Sequence, residues 1–177
     1  MKVFFINPPF KAEYGKFSRE NRSPAITRSG ALYYPLWLIY AAAVCEKDGF
    51  EVCFLDAPAR PLNEEESLSV VRRDGQGTKL FVLDTSTPSI YSDIKFAEKL
   101  KEMFPESKVV LVGTHPSALP EETLCISEQI DAVARHEFDY IVRDLARAVR
   151  DDGSWSNVKG ITYRENGEIY ATEDMPF

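Results

Sequence analysis

The stretch KVVLVGTHPSALPEE, residues 108–122, decides the fold that the sequence predicts. Its aliphatic run VVLV is typical of a parallel strand that is buried on both faces. The run leads into Gly113-Thr114-His115-Pro116, which we interpret as a turn, and a brief helix is indicated from about Leu119. In open α/β sheets, ligands bind beyond the carboxyl ends of the strands, where small residues let them approach the main chain. We therefore expect any bound cofactor at this turn.

Strand and helix signals alternate on both sides of this stretch. Apolar runs predict five strands, at residues 3–6, 50–56, 80–83, 109–112 and 131–134. Helically spaced apolar residues separate the strands, as in the series Ile90, Ile94, Ala97, Leu100 and Phe104. This alternation specifies an α/β fold with a doubly wound, five-stranded parallel sheet and right-handed crossovers.

The helix that follows Pro35 has the most apolar sequence in the chain. Pro35 suits its first turn, and Gly49 suits its carboxyl end. Its i, i+3, i+4, i+7 pattern selects one stripe, which we predict to face the sheet: Leu36, Ile39, Tyr40, Ala43 and Val44. The apolar block at residues 31–45 contains a proline and is too short to span a membrane.

The pattern changes after Asp151-Asp152-Gly153. Residues 160–164 and 168–172 flank an Asn166-Gly167 pair, and Asn-Gly between two such runs predicts a β-hairpin. No helix follows, so we interpret the end of the chain as a linker towards a further domain. The sequence thus predicts an α/β domain at residues 1–150 and a hairpin with a linker at residues 151–177.

The composition is that of an ordinary globular protein. The 177 residues are 44% hydrophobic and 28% charged, which is enough for one domain with a core of its own. The net charge of -7 argues against nucleic-acid binding, which requires a basic face. Cys45, Cys53 and Cys125 are widely spaced, and we interpret them as buried, reduced residues of a cytoplasmic protein.

Residues 10–34 show no clear periodicity and form a long loop for a compact domain. The segment is basic within an acidic protein. It carries Lys11, Lys16, Arg19, Arg22 and Arg28 against Glu13 and Glu20. Two interpretations stay open: a solvated flap, or a lid or docking segment over the edge of the sheet.

Several known sites are excluded because their motifs are missing. The sequence has no GxxxxGK[ST], which excludes a P-loop, and Asn7-Pro8-Pro9 stands where dinucleotide folds have GxGxxG. Asp84 follows the third strand, as an acidic residue does in phospho-receiver domains. The acidic pair and the lysine of those domains are absent, so we interpret Asp84 as a turn-capping residue. His115 and His136 are the only histidines, and neither can be assigned to a nucleophile–base pair.

Small polar residues follow three consecutive strands. Thr85-Ser86-Thr87 follows the third strand, Gly113-Thr114 the fourth and Glu137-Phe138 the fifth. Loop polarity explains each position alone, whereas their coincidence at one edge of the sheet favours a site. Such a row suits a large, flat cofactor that is contacted by main chain and hydroxyl groups.

Four motifs occur in an order that resembles one family. They are Asn7-Pro8-Pro9, Thr85-Ser86-Thr87-Pro88, the stretch at residues 112–124, and Ile130-Asp131-Ala132-Val133 with His136-Glu137-Phe138-Asp139. Together they resemble the N-terminal cobalamin-binding domain of radical S-adenosylmethionine enzymes, and residues 160–169 are similar to the connection to the radical domain. The resemblance covers nearly the whole chain and implies a flavodoxin-like (Rossmann-like) fold. ARHEFD, at residues 134–139, is most similar to members associated with hopanoid biosynthesis.

The chain departs from the family pattern in several places. Thr114 replaces the second of two glycines after the fourth strand, and His136 stands where glycine commonly precedes the glutamate. Both side chains narrow the space over the sheet. The CxxxCxxC motif that binds the iron–sulfur cluster is absent, so this chain cannot perform radical chemistry by itself.

The resemblance implies cobalamin as the cofactor, with no protein histidine on cobalt. The DxHxxG motif, which supplies that histidine in related mutases, is absent after the first strand. His115 is the tempting substitute ligand, and we interpret it as a structural or hydrogen-bonding residue instead. S-adenosylmethionine and a [4Fe-4S] cluster would be bound only by a further C-terminal radical domain.

The site that the resemblance implies has three sides, and no catalytic or metal-ligating residue is assigned to it. The corrin and its tail would be contacted by Gly113, Thr114 and His115 and by Thr85, Ser86 and Thr87. The third side would be shaped by Glu137 and Phe138, and Asn7 and Pro8 would lie below cobalt. The parent enzyme would carry out methyl transfer or related radical chemistry on a hydrophobic substrate. Two alternatives stay open: a scaffold domain that binds no cofactor, and a flavin- or nucleotide-binding domain, which the lack of phosphate-cradling glycines disfavours.

Overall fold

The computed structural model describes residues 1–11, 19 and 32–176, which fold around one seven-stranded sheet. In chain order the elements are β1 (Lys2–Asn7), α1 (Leu36–Lys47), β2 (Glu51–Asp56), α2 (Glu64–Asp74), β3 (Thr78–Thr85), α3 (Ile90–Met103), β4 (Lys108–Gly113), α4 (Thr114–Ala118), α5 (Pro120–Ile126), β5 (Ala132–Ala134), α6 (Asp139–Arg150), β6 (Ile161–Glu165) and β7 (Glu168–Ala171). The predicted lid at residues 10–34 lies outside the described residues, apart from its ends and Arg19. None of the helices described is both long and apolar enough to cross a bilayer.

The strand order is β2-β1-β3-β4-β5-β6-β7. The first five strands are parallel, in the order 2-1-3-4-5 that defines the flavodoxin-like arrangement, which confirms the predicted fold. Their carboxyl ends are level, because Asn7 lies opposite Asp56 and Thr85 opposite Gly113. The order reverses between β1 and β3, where such folds form their ligand crevice.

The C-terminal hairpin is part of the same sheet. β6 pairs antiparallel with β5, and β7 pairs with β6. Asn166 and Gly167 have φ values of 52° and 84°, as a two-residue type I′ turn requires. The predicted hairpin is therefore confirmed. The sequence analysis does not predict that the hairpin extends the main sheet.

Helices cover both faces of the sheet. α1 and α6 pack on one face, together with Val3 and Phe5 of β1. α2, α3 and α5 pack on the other face, with Phe4 and Ile6. Because alternate residues of each central strand face opposite helical layers, these strands are apolar throughout.

The prediction for the buried stripe of α1 is wrong. The residues that face the sheet and α6 are Leu38, Ala41, Ala42 and Cys45. Leu36, Ile39 and Tyr40 face outwards. The helix is apolar around its whole circumference, so spacing alone does not choose a face. Small residues at positions 41, 42 and 45 let the helix approach the sheet closely, which an aromatic stripe would prevent.

Two further expectations need correction. The predicted turn at residues 113–116 is helical from Thr114, and Pro116 is tolerated there because the first N–H groups of a helix need no intrahelical acceptor. The cysteines differ in environment, although all three are free. Burial raises the pKa of Cys45 to about 12, whereas Cys125 on α5 is exposed.

A buried ion pair joins α3 to the point where the strand order reverses. Arg19 donates from Nε and Nη2 to the two carboxylate oxygens of Asp93, at 3.1 and 2.6 Å. Its Nη1 donates to Asn7 Oδ1 (2.6 Å) and to the carbonyl of Pro8 (2.9 Å). Thr85 Oγ1 donates to Asp93 Oδ2 (2.7 Å). The Arg19 and Asp93 side chains are 1% and 0% exposed, so the pair depends on this complete set of partners.

Replacing Asp93 tests this network. In Asp93→Asn, the Arg19 guanidinium would stay buried without its counter-charge, and breaking a buried pair from one side costs about 3–5 kcal/mol. We expect the free energy of unfolding, measured by urea denaturation, to fall by an amount of that order. Asp74→Asn is the matched control, because Asp74 pairs with Arg73 at the exposed surface and little change is expected. Equal unfolding midpoints for the two variants would contradict the role given to the buried pair.

Candidate functional site

A cavity of about 500 Å³ opens at the carboxyl ends of β3, β4 and β5. Its walls come from the β4–α4 junction, the β5–α6 turn, the start of α1 and one side chain of the 10–34 segment. The lining residues are Arg19, Trp37, Asp84, Gly113, Thr114, Ser117, Ala118, His136, Glu137, Phe138 and Asp139. The cavity lies at the edge of the sheet where the sequence predicts a ligand.

Gly113 forms the corner at which β4 becomes α4. Its φ of 110° and ψ of -167° fall in a region that is essentially restricted to glycine. A Cβ at this position would lie 2.2 Å from the carbonyl oxygen of Thr85 and 2.7 Å from Asp84 Oδ1. The chain therefore needs glycine here, both for the bend and for the close approach of β4 to β3. The bend leaves the main chain of Gly113 open towards the cavity.

Ser117 joins the two long walls of the cavity. Its Oγ donates to the carbonyl of Gly113 (2.8 Å) and accepts from the backbone N–H of His136 (2.9 Å). His136 has a φ of 61°, a left-handed conformation that is uncommon for a residue with a side chain. The turn that results leaves Glu137 exposed and buries Phe138 at the start of α6.

Four of the ten predicted site residues line this cavity: Gly113, Thr114, Glu137 and Phe138. They come from the motifs after β4 and β5, which the fold brings together as expected. Thr114 and His136, predicted to narrow the site, both lie in its wall and leave the cavity open.

The other six predicted residues lie at the same edge of the sheet but outside the cavity lining. Asn7 and Pro8 bind Arg19, and Asn7 Nδ2 also donates to Asp56 Oδ1 (2.9 Å). Thr85 binds Asp93, and Ser86 bonds to Ser89 within the turn before α3. Thr87 contacts His115. Their contact with a ligand stays a prediction.

His115 is buried beside the β3–α3 turn. Its Nδ1 lies 3.2 Å from Thr87 Oγ1, and its buried Nε2 has no hydrogen-bond partner among the described residues. Burial lowers the pKa of the imidazole below its ordinary value, and the Glu122 carboxylate opposes this shift. Within the described parts of the chain, no group of three or more His, Cys, Asp or Glu side chains is arranged to hold a metal ion.

Seven lining residues are not assigned to the site by the sequence: Arg19, Trp37, Asp84, Ser117, Ala118, His136 and Asp139. Asp84 could have been assigned to the site, because it is an acidic residue at the end of a predicted strand. Its interpretation as a turn-capping residue left it out of the predicted site. The structure buries Asp84 at the end of β3, in the cavity wall. Arg19 belongs to the basic segment for which a lid was one interpretation, but its position within that segment carries no signal, and Trp37 carries none because tertiary packing alone brings it to the cavity.

The lining combines apolar and polar groups. Trp37 and Phe138 offer aromatic surface, Thr114 and Ser117 offer hydroxyl groups, and Gly113 offers main chain. A lining that is mostly apolar, with a few polar groups that fix orientation, is typical of small-molecule sites. The lining also carries Arg19 and the carboxylates of Asp84, Glu137 and Asp139, so it suits a ligand with an apolar body and polar substituents.

Comparisons with known proteins point to one family. The family model described as the B12 binding domain matches residues 22–146. An anaerobic magnesium-protoporphyrin IX monomethyl ester cyclase from Rubrivivax gelatinosus is 26% identical over 99% of this chain and 30% of its own length. An uncharacterized methyltransferase from Pyrococcus horikoshii is 24% identical over 96% of this chain and 34% of its own length. The chain spans about a third of the length of these curated relatives.

Solved structures share the fold at low sequence identity. The radical S-adenosylmethionine methyltransferase TsrM from Kitasatospora setae, with cobalamin and a [4Fe-4S] cluster bound, has a TM-score of 0.74 and 15% identity over 98% of this chain and 29% of its own. The cobalamin-dependent S-adenosylmethionine radical enzyme OxsB has a TM-score of 0.77 and 14% identity over 99% of this chain and 22% of its own. The flavodoxin-like core and its hairpin thus recur in larger chains.

Substituting Gly113 tests the corner at the base of the cavity. We expect Gly113→Ala to lower the free energy of unfolding by at least about 1–3 kcal/mol, because alanine is strained at this φ and ψ and its Cβ would overlap Thr85. Gly153→Ala is the control, since a Cβ there meets nothing closer than 3.7 Å. Urea denaturation of both variants measures the difference. Equal stability of the two would show that the corner does not need glycine.

The buried His115 predicts a pH dependence of stability. Because its pKa is lowered in the folded state, the unfolded chain binds the proton more readily. The stabilisation from the neutral imidazole is complete above the unfolded pKa, about 6.5, and is lost as the pH falls from there through the folded value. We expect His115→Gln to lose less unfolding free energy between about pH 7 and about pH 5 than the unsubstituted protein. The slope of the unsubstituted protein is the reference, and an unchanged slope in His115→Gln would refute the assignment.

Proposed function

The chain belongs to the B12 binding domain family, and from this premise we propose that its cavity at the ends of β3, β4 and β5 holds cobalamin. One observation carries the proposal. The family match at residues 22–146 includes both long walls of the cavity, residues 113–118 and 136–139, which the fold brings together at one edge of the sheet.

The residues present fit one face of this cofactor, which is larger than the cavity of about 500 Å³. A corrin is a broad, mostly apolar ring with amide side chains, so it needs flat apolar contacts, hydroxyl groups and accessible main chain. Trp37 and Phe138 would supply the apolar contacts, and Gly113 would offer main chain where a Cβ is excluded. Thr114 would bind amides, and Ser117 could only accept one further hydrogen bond, because its hydroxyl proton is donated to Gly113. When bound, cobalamin supplies cobalt redox and methyl-carrier chemistry.

We further propose that no protein histidine binds cobalt. Asn7-Pro8-Pro9 stands at the end of β1, where related folds supply the ligand, and Asn7 is already bonded to Arg19 and Asp56. His115 is outside the cavity lining and faces Thr87. His136 is in the wall, with its Nε2 3.7 Å from Asp174 Oδ1 on the C-terminal tail.

We propose that this domain acts within a larger radical S-adenosylmethionine enzyme. Its relatives and structural neighbours are about three to five times longer than the segment it matches, and two of them carry the name methyltransferase. Methyl transfer or related radical chemistry on a hydrophobic substrate, with S-adenosylmethionine and a [4Fe-4S] cluster in the other domain, is the activity proposed for the parent. The hopanoid branch stays a prediction, and three free cysteines support a cytoplasmic location.

The scaffold and flavin alternatives receive less support. A scaffold domain would result if Thr114 and His136 closed the site, and instead both line an open cavity of about 500 Å³. Flavin or nucleotide binding would call for backbone donors that cradle a phosphate, and the family match favours cobalamin.

Titration with hydroxocobalamin, followed by desalting, tests the proposed function. We expect a stoichiometric red complex, whose absorbance also reports whether a histidine binds cobalt. Ala118→Trp should reduce retention at least about tenfold, because an indole at this wall position would fill the cavity. Ala171→Trp, on the exposed edge strand β7, is the control and should retain cobalamin. A folded protein that emerges colourless, or equal retention by both variants, would contradict binding in this cavity.

A further inference from the structure

The outer side of α1 and the residues before it carry an unusual set of exposed side chains. Six large apolar residues there are between 36% and 80% exposed, and we name them the aromatic face: Tyr33, Tyr34, Leu36, Trp37, Ile39 and Tyr40. Trp37 and Tyr40 pack edge to face, with ring centroids 5.9 Å apart. Single exposed apolar residues are normal on protein surfaces, but a contiguous group of this size marks an interaction site.

The sequence of α1 predicts that both sides of the helix are buried against other parts of the protein. Residues 32–45 contain no charged side chain. One side, with Leu38, Ala41, Ala42 and Cys45, already packs on the sheet and α6. A helix that is apolar all round is normally buried all round. The neighbouring helix α6 shows the ordinary pattern, because its outer side carries Arg147 and Arg150.

The aromatic face is continuous with the cavity. α1 begins at the carboxyl edge of the sheet, and Trp37 belongs both to the aromatic face and to the cavity wall. α6 begins at the same edge, with Tyr140 exposed in its first turn. A body that covered the mouth of the cavity would therefore meet the aromatic face.

The end of the described chain lies on the same side of the sheet. Arg135 donates to Asp174 Oδ1 (2.7 Å) and to the carbonyl of Thr172 (2.6 Å), which ties the tail to the turn that forms the cavity wall. Met175 then packs against the core that α1 and α6 share. A segment that continues from here starts beside the helical layer to which the aromatic face belongs.

We propose that the aromatic face is the surface on which the radical domain of the parent enzyme docks. This inference rests on the proposed function and adds where the second domain sits. The expected partner surface is apolar and uncharged, with pockets for Tyr40 and Ile39, since aromatic residues at the centre of an interface supply most of its binding energy.

A membrane surface fits the aromatic face less well. Interfacial helices carry lysine and arginine beside their apolar side and are attracted to anionic lipid. Here the block from 32 to 45 has no basic residue, the basic residues of the preceding segment end at Arg28, and the chain as a whole has a net charge of -7. The charge pattern therefore favours a protein domain as the occupant.

Photo-cross-linking in the full-length polypeptide tests the proposal. p-Benzoylphenylalanine replaces Tyr40 in one sample and Tyr91 in the other, and mass spectrometry maps the products. Tyr91 is the matched control because it is 68% exposed on α3, in the opposite helical layer. We expect position 40 to cross-link to residues of the radical domain at least about tenfold more than position 91 does. Cross-links from position 40 to a second copy or to lipid, or none at all, would overturn the docking surface.

A pair of substitutions gives a second readout. The double variant Ile39→Ser/Tyr40→Ser changes two residues that do not line the cavity. Loss of docking should expose the segment after Asp174 and raise its rate of limited proteolysis several-fold. Tyr91→Ser should leave this rate unchanged. Unchanged proteolysis in the double variant counts against the proposal. Cobalamin absorbance of the same samples separates the two proposals. Bound cobalamin without cross-links overturns the docking surface alone, and failure of the unsubstituted protein to bind cobalamin overturns the proposed function.

Discussion

The buried pair of Arg19 and Asp93 sets the limits of the site. A charged pair with almost no exposure is tolerated only when its remaining donors and acceptors are satisfied, and Asn7, Pro8 and Thr85 do this. These are the residues at the β1–β3 reversal, where an open α/β fold would otherwise bind its ligand. This network occupies the reversal point, and the described cavity lies beside it, at the ends of β3, β4 and β5. The same network explains why three residues of the predicted site lie outside the cavity lining.

The cavity itself depends on how closely β4 approaches β3. Gly113 permits that approach, and its unusual φ turns the chain directly into α4. Ser117, one turn later, then reaches both the Gly113 carbonyl and the His136 N–H. A local backbone requirement at one glycine thus fixes the spacing of two walls that come from different strands. Ser117, whose hydroxyl group joins these walls, is a residue that the sequence pattern does not single out.

The fold could be predicted because its signals are local. Five apolar runs, the helical stripe of α3 and an Asn-Gly turn each report on neighbouring residues, and the structure agrees with them. What failed depends on contacts between distant parts of the chain. Arg19 and Asp93 are 74 residues apart, and no periodicity links them. On α1, apolar residues occur on both sides of the helix. The space available beside the sheet and α6 determines that Leu38 is buried and Tyr40 is exposed.

That error about α1 is itself informative. The buried side of a surface helix can normally be recognised because the opposite side is polar. Exposed apolar area carries a free-energy cost, which favours polar residues on the outer side. A helix that gives no such signal has two apolar sides to bury, and the described residues cover one of them. Under the proposed function, the edge of the parallel sheet would support one face of a broad, flat cofactor, and a second body would cover the other face. The aromatic face beside the cavity and the tail held by Arg135 lie on the side from which that body would approach. The ambiguity in the sequence of α1 is therefore what a domain built to work against a partner would show.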